Sequence, residues 1–373
     1  MRLLDRYLLR ELLIPLGYCL GGFLIFWISF DVLSELDEYQ KRQLLVGDIA
    51  EYYLVKLPEL LVTVSPIGLL LAMLYALTNH ARHQELTAMR AAGVSLWRLC
   101  VPYLAVGLLF TLALFVLNEY IVPDGNEAAN RILSRRQPDL AGAADADWQR
   151  NLTFHNERDG RMWSIGAFHR ESGAMLAPNV EWYLADGTKR RLSADSASYT
   201  NGVWVFRGAR ELLYSPEPGV NPQRSQTDEL AVPELSETPE LIRSEIKFSE
   251  LSSARAAKRP RLSLKEIFAY RRLHPQLAPR DRFKLETQLH GRLAEPWTCM
   301  VVVFIAIPFG APSGRRNVFV GVASSIFIGF AYFILSRFGL ALGTGGYLPP
   351  WVAAWLPNLA FAITGIWMTQ RVK

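Results

Sequence analysis

The sharpest motif lies at residues 79–94, Asn-His-Ala-Arg-His-Gln-Glu-Leu-Thr-Ala-Met-Arg-Ala-Ala-Gly-Val. The spacing predicts a short amphipathic helix over 80–92, closed at Gly93 by the residue that most readily takes the left-handed C-cap conformation. Arg82 and Glu85 lie three apart and would share a face, where they could pair. Two readings stand side by side. In one the segment is a solvated connector. In the other it is a docking helix, with Glu85 meeting a basic groove of a cytosolic partner while Leu86 and Met89 supply apolar contact.

Other chemistries are excluded. No GxxxxGK[ST] phosphate loop occurs, so the chain does not bind ATP through one. The glycine-rich run at 343–346 lacks the lysine and reads as a tight turn between two apolar stretches. No nucleophile, base and orienter set stands out, which argues against an enzyme. Cys19, Cys100 and Cys299 all fall in or at the ends of apolar runs, and the six histidines show no paired ligand spacing. No metal site or cofactor is therefore expected. The net charge of +5 invites a nucleic-acid reading. It fails because the basic residues cluster beside the apolar runs.

Those runs are the elements that must carry the segment. Residues 12–30, 60–79, 99–118, 318–336 and 338–370 contain no charged residue, and 293–313 contains only Glu295. A bilayer core asks for about 20 apolar residues per helix. Six spans are expected, near 12–30, 58–79, 99–122, 293–311, 318–339 and 351–369. The first continues as helix through residue 40, and Pro66 should kink the second. Gly321 and Gly329 would let a neighbouring helix come close. The segments 1–11, 80–98, 314–317 and 371–373 are rich in arginine and lysine, with Asp5, Glu11 and Glu85 as their acids. The loop 31–56 has the reverse bias. The positive-inside rule puts both termini in the cytosol and the long insert on the far side. Few ionisable residues fall inside the spans, against a proton-coupled carrier.

The insert reads as β. Asp186-Gly187 and Asn201-Gly202 are hairpin dipeptides between strands at 181–184, 189–199 and 203–213, with a further strand at 162–168. Residues 203–208 alternate as a strand with two unlike faces should. A sandwich or jelly roll follows. Residues 215–239 read as a loop or edge connection, and 264–273 and 282–293 as helices.

Several stretches carry a resemblance: Leu4-Asp5-Arg6-Tyr7-Leu8, the run 84–93, Asn118-Glu119-Tyr120-Ile121-Val122-Pro123, Arg292-Leu293-Ala294-Glu295-Pro296, Ile307-Pro308-Phe309-Gly310, Leu348-Pro349-Pro350 and Trp355-Leu356-Pro357-Asn358. In this order and around a mid-chain insert, the chain resembles the LptF/LptG (YjgP/YjgQ) permeases of the lipopolysaccharide exporter. The start and the 118–123 motif look closer to the G-type.

The resemblance implies six transmembrane α-helices with a periplasmic antiparallel β-jellyroll between helices 3 and 4. The parts are residues 1–122 with a coupling helix at 80–93, the periplasmic domain 123–290 with its connecting helices, and residues 291–373. It implies an inner-membrane, ABC-type exporter and a heterodimer with a paralogous LptF-like permease. A dimeric LptB-like cytosolic ATPase would dock at Arg82, Glu85, Leu86, Met89 and Arg90. Lipopolysaccharide would enter through gates lined by spans one and five and pass to LptC/LptA-like bridge and single-helix jellyroll proteins. Extracting a multi-acyl lipid costs about 0.8 kcal/mol per exposed CH₂, so a dry path and an external energy source are both needed. A phosphorylated headgroup needs cations at the outer rim. Lys41, Arg42, Arg292 and Arg337 are the candidates, against a plain reading as interfacial flanks. Phe23, Phe26, Phe30, Phe327, Phe330 and Phe333 are candidates for the lipid path, against helix packing. The rival class is a membrane-anchored periplasmic sensor or mechanical coupler.

Overall fold

The computed structural model describes residues 3–135, 148–156, 159–184, 186–216, 221–252, 262–275, 277, 279–310 and 318–371. The chain divides into two units, Met1–Leu133 with Pro279–Lys373, and Ser134–Ala278.

Six helical stretches of the first unit are long and apolar enough to cross a membrane. They comprise α1 (Leu3–Lys41), α2 (Val46–Arg82), α4 with α5 (Leu96–Val116 and Val122–Ser134), α8 with α9 (Pro279–Ala294 and Thr298–Gly310), α10 (Val318–Thr344) and α11 (Pro350–Arg371), with the short α3 (Glu85–Ala91) between α2 and α4. A π turn, Leu117–Ile121, joins α4 to α5, and a 3₁₀ turn, Glu295–Trp297, joins α8 to α9. The 39 residues of α1 extend about 58 Å, roughly twice the hydrocarbon thickness, so the helix continues well past its apolar stretch. α2 runs unbroken through Pro58 and Pro66. The six-span expectation holds, with most helices longer at their polar ends.

Leu8, Leu12 and Leu16 of α1 meet Leu69, Met73 and Leu77 of α2, and Cys299, Val303 and Ile307 of α9 join the same core. Close approach uses other glycines than expected. A Cβ at Gly329 would meet nothing within 4 Å, and the surroundings of Gly321 lie outside the described side chains. A Cβ at Gly339 would come 2.5 Å from the Ala353 carbonyl oxygen, and at Gly310 2.6 Å from Leu77 Cβ. These are the points where small residues bring helices together.

The second unit is built on one antiparallel sheet: β1 (Trp148–Asn156), β2 (Arg161–His169), β3 (Met175–Tyr183), β4 (Lys189–Ser193), β5 (Ser196–Thr200), β6 (Val203–Tyr214) and β7 (Gln223–Val232). β4 and β5 form one broken strand lying between β3 and β6, with Glu181 opposite Arg191 and Tyr199 opposite Trp204. The break falls at Ala194-Asp195, opposite Gly208, whose positive φ of 65° suits glycine. The buried face holds Trp163, Val180, Leu192, Trp204 and Phe206, covered by Ile242 and Ile246 of α6 (Pro239–Ser252). The return from β7 to α6 is fastened by the buried Glu237, which accepts from Asn156 Nδ2 (2.7 Å) and Arg161 Nη1 (3.1 Å), while its carbonyl accepts from Trp204 Nε1 (2.5 Å). A separate antiparallel sheet domain between the third and fourth spans is the expected architecture. The region 215–239 holds the edge strand β7, and α7 (Leu264–Leu273) falls where a helix is expected.

Candidate functional site

The helix expected at 80–92 is two pieces. His80, Ala81 and Arg82 end α2, Gln84 turns left-handed (φ 59°), and α3 begins at Glu85. Asn79 O accepts from both His83 N–H and the His83 ring, which closes α2 early. Gly93 turns positive (φ 84°) just beyond Ala92, in keeping with its expected role.

Glu85 does not pair with Arg82. Its Oε2 accepts from the Tyr7 hydroxyl (2.9 Å) and lies 2.7 Å from His80 Nδ1. A carboxylate only accepts, so His80 carries its proton on Nδ1. Burial alone would push the Glu85 carboxyl up. The bonds from His80 and Tyr7, with the His80 and His83 charges, outweigh it and hold the group below its ordinary value. His80 is almost fully buried, while the Glu85 side chain keeps a third of its surface. A second tie lies beside it: Arg98 grips Asp5 through two N···O contacts of 2.8 and 2.9 Å. Both ties reach the first two turns of α1. Leu86, 5% exposed, is packed into the core of this chain with Met89 against it. Leu86 anchors α3 and is withdrawn as a partner contact, while Met89 is half-buried beside it. The exposed residues are Arg82 at the end of α2 and Thr87, Ala88, Arg90 and Ala91 on α3.

A second polar cluster sits where the helices break. Arg292 Nη1 donates to the Asn118 carbonyl (2.8 Å) and lies 3.4 Å from Glu119 Oε2. Asn118 Nδ2 reaches Glu295 (3.4 Å). Arg292 is 4% exposed and committed to Glu119, so its expected headgroup role is withdrawn. Pro296 and the 3₁₀ turn shift the helix pairing, so that Thr298 N–H bonds to the Glu295 carbonyl, and the Ala294 carbonyl accepts from Asn358 Nδ2 (2.8 Å). Asn358 Oδ1 accepts from Tyr332 (2.6 Å), whose oxygen accepts from Thr298 (2.6 Å). Within a bilayer a broken helix needs such replacement partners.

At the far end of α1, Tyr53 donates to Asp31 (2.7 Å), Tyr39 donates to Tyr53 (3.1 Å), and Lys56 lies 3.6 Å from Asp31 and donates to Tyr52 (2.9 Å). Arg42 is held by Glu38 (2.5 Å) and the Leu133 carbonyl (3.3 Å), which leaves Lys41 exposed beside it. Arg337 is exposed, its guanidinium 5.0 Å over the Phe333 ring. Phe23 is half-buried. Phe26 and Phe30 are exposed with rings 6.4 Å apart, and Phe327, Phe330 and Phe333 are exposed on α10. α1 and α10 are the least buried of the six spans, so their aromatic faces are open to lipid or to another chain.

Three of the sequence motifs thus meet in one buried cluster through Asn118, Arg292 and Asn358, and two more meet through Tyr7 and Glu85. Residues 6–371 match the family model described as lipopolysaccharide export system permease LptF/LptG. The chain belongs to this family. No curated protein sequence matches it. As an LptF/LptG permease it is a multi-pass membrane subunit of lipopolysaccharide export, a transport component rather than an enzyme. Tyr7, His80, Asn358 and Lys56 went unassigned in the sequence reading. Tyr7 and Asn358 lie inside recognised motifs, but their partners are dozens of residues away.

Proposed function

We propose that this LptF/LptG chain is the G-type half of an ABC-type exporter that lifts lipopolysaccharide out of the inner membrane. Both termini and α3 face the cytosol, by the arginine bias of those segments. The sheet unit is periplasmic. A paralogous LptF-like permease completes the cavity, a dimeric LptB-like ATPase docks on α3, and LptC/LptA-like jellyroll proteins receive the lipid. Exposed aromatic faces of α1 and α10 line the route, and Lys41 and Arg337 meet the lipid phosphates.

The observation that carries this reading is the build of α3. Leu86 is spent on the chain's own core with Met89 half-buried beside it, and the side chains α3 leaves outward are Thr87, Ala88, Arg90, Ala91 and part of Glu85, with Arg82 next to them at the end of α2. A seven-residue helix held rigidly with a polar face outward is a surface for a polar partner. Family membership in a lipopolysaccharide export permease supports an ATPase as that partner. The test is co-purification of the ATPase with wild type and Glu85→Lys. Loss of the ATPase with an unchanged melting temperature supports docking at Glu85, and full retention of ATPase and export contradicts it. A sensor without lipid passage would hold no ATPase in either case.

A further inference from the structure

A push on α3 reaches the lipid path only through an element that touches both. α1 is one unbroken helix from Leu3 to Lys41. Its first turns hold Asp5 and Tyr7, and its apolar stretch carries the exposed Phe26, Phe30 and Leu33. Few residues of that stretch are buried. Polar contacts hold α1 at its two ends: Tyr7–Glu85 and Asp5–Arg98 at one, Asp31–Tyr53 and Tyr39–Tyr53 at the other. Between those ties Leu12 and Leu16 pack in the core shared with α2, and the helix runs on through Pro15, so α1 is a single element that joins the docking end to the exposed aromatic face.

Glu85 Oε2 is the shared point. It takes the Tyr7 hydroxyl from α1 and faces His80 at the end of α2. Both contacts fall on the one oxygen, and Oε1 has no partner among the described residues. The same carboxylate can therefore meet a partner's cation through Oε1 while Oε2 stays tied to α1.

We propose that Tyr7 is a positioning residue that ties the docking helix to α1, so that movement of α3 is passed along α1 to the face bearing Phe26 and Phe30. This inference rests on the docking reading above. Tyr7 touches no lipid in this scheme and acts through Glu85. Removing its hydroxyl breaks the tie to α1 while leaving Glu85 Oε1, Arg82 and Arg90 for the partner. Docking and transport should then separate.

The experiment uses the full complex with Tyr7→Phe, and reads ATPase co-purification, lipopolysaccharide released per ATP hydrolysed, and ATP-dependent labelling of Leu33→Cys in a chain carrying Cys19→Ala. In the otherwise wild-type chain, labelling at position 33 changes when ATP is added. With Tyr7→Phe, the ATPase still co-purifies, the release per ATP falls about fivefold or more, and the ATP-dependent change in labelling disappears. A Tyr7→Phe complex with unchanged release per ATP and unchanged labelling overturns the proposal. Loss of the ATPase together with a lowered melting temperature also overturns it, because Tyr7 would then only support the fold. If the ATPase ignores Glu85→Lys, the docking reading fails first, and that arm is scored separately.

Discussion

Asn358→Leu perturbs the buried cluster with little change in volume. Asn358 donates to the Ala294 carbonyl at 2.8 Å and accepts from Tyr332 at 2.6 Å. Side-chain hydrogen bonds between membrane helices are worth about 0.6–2 kcal/mol each. Ala294 caps the 3₁₀ turn, so its carbonyl also serves as the first acceptor inside that turn and is not stranded by the substitution. The loss is that of the two side-chain bonds, about 1–4 kcal/mol. Tyr332→Phe removes a hydroxyl that bridges Thr298 and Asn358 but strands no backbone group, so about 1 kcal/mol is expected. Reversible unfolding in mixed micelles, followed by circular dichroism, measures both. A loss below about 0.5 kcal/mol for Asn358→Leu, or a larger loss for Tyr332→Phe, would refute the claim that Asn358 ties α11 to the break between α8 and α9.

Arg292→Met should cost about 3–5 kcal/mol by leaving Glu119 buried without its charge partner, and adding Glu119→Leu should recover part of it. The same unfolding assay decides this, and strict additivity would count against the pair. Gly339→Ala should cost about 1–3 kcal/mol, since its Cβ would press on the Ala353 carbonyl, while Gly329→Ala should fall within about 0.5 kcal/mol of wild type. Glu85 is held below its ordinary value, so its contribution is complete at neutral pH, above the unfolded carboxyl value, and fades as pH falls through the lowered value. Protection of the α3 amides, taken relative to the intrinsic exchange rate at each pH, should therefore fall at acid pH in wild type and lose that dependence in Glu85→Gln.

The six spans were legible because apolar length is a sufficient signal for a membrane helix, and charge bias adds direction. The polar extensions of α1 past residue 30 and of α8 from 282 were legible too, whereas α5 was not, because its apolar run has already ended and its residues are mostly polar or small. In the sheet, β2 and β6 alternate visibly, whereas β7 is a polar edge strand exposed on nearly all its residues, so nothing in its pattern marks it. At the candidate site Glu85 stood out by its local context. Its true partners did not, because Tyr7 is 78 positions away and arrives only when α1 packs on α2. Arg292 shows the converse. Beside an apolar run it reads as a flanking cation, and only the fold reveals that Glu119, brought by α4 and the π turn, has claimed it.

The central claim is met most directly by reconstitution. Proteoliposomes holding this chain, its paralogous permease, the ATPase and labelled lipopolysaccharide would be offered a soluble jellyroll acceptor. The account predicts lipopolysaccharide on the acceptor that depends on ATP and is lost with Glu85→Lys. Transfer that proceeds equally without ATP, or no transfer although ATP is hydrolysed and the complex is intact, would contradict it.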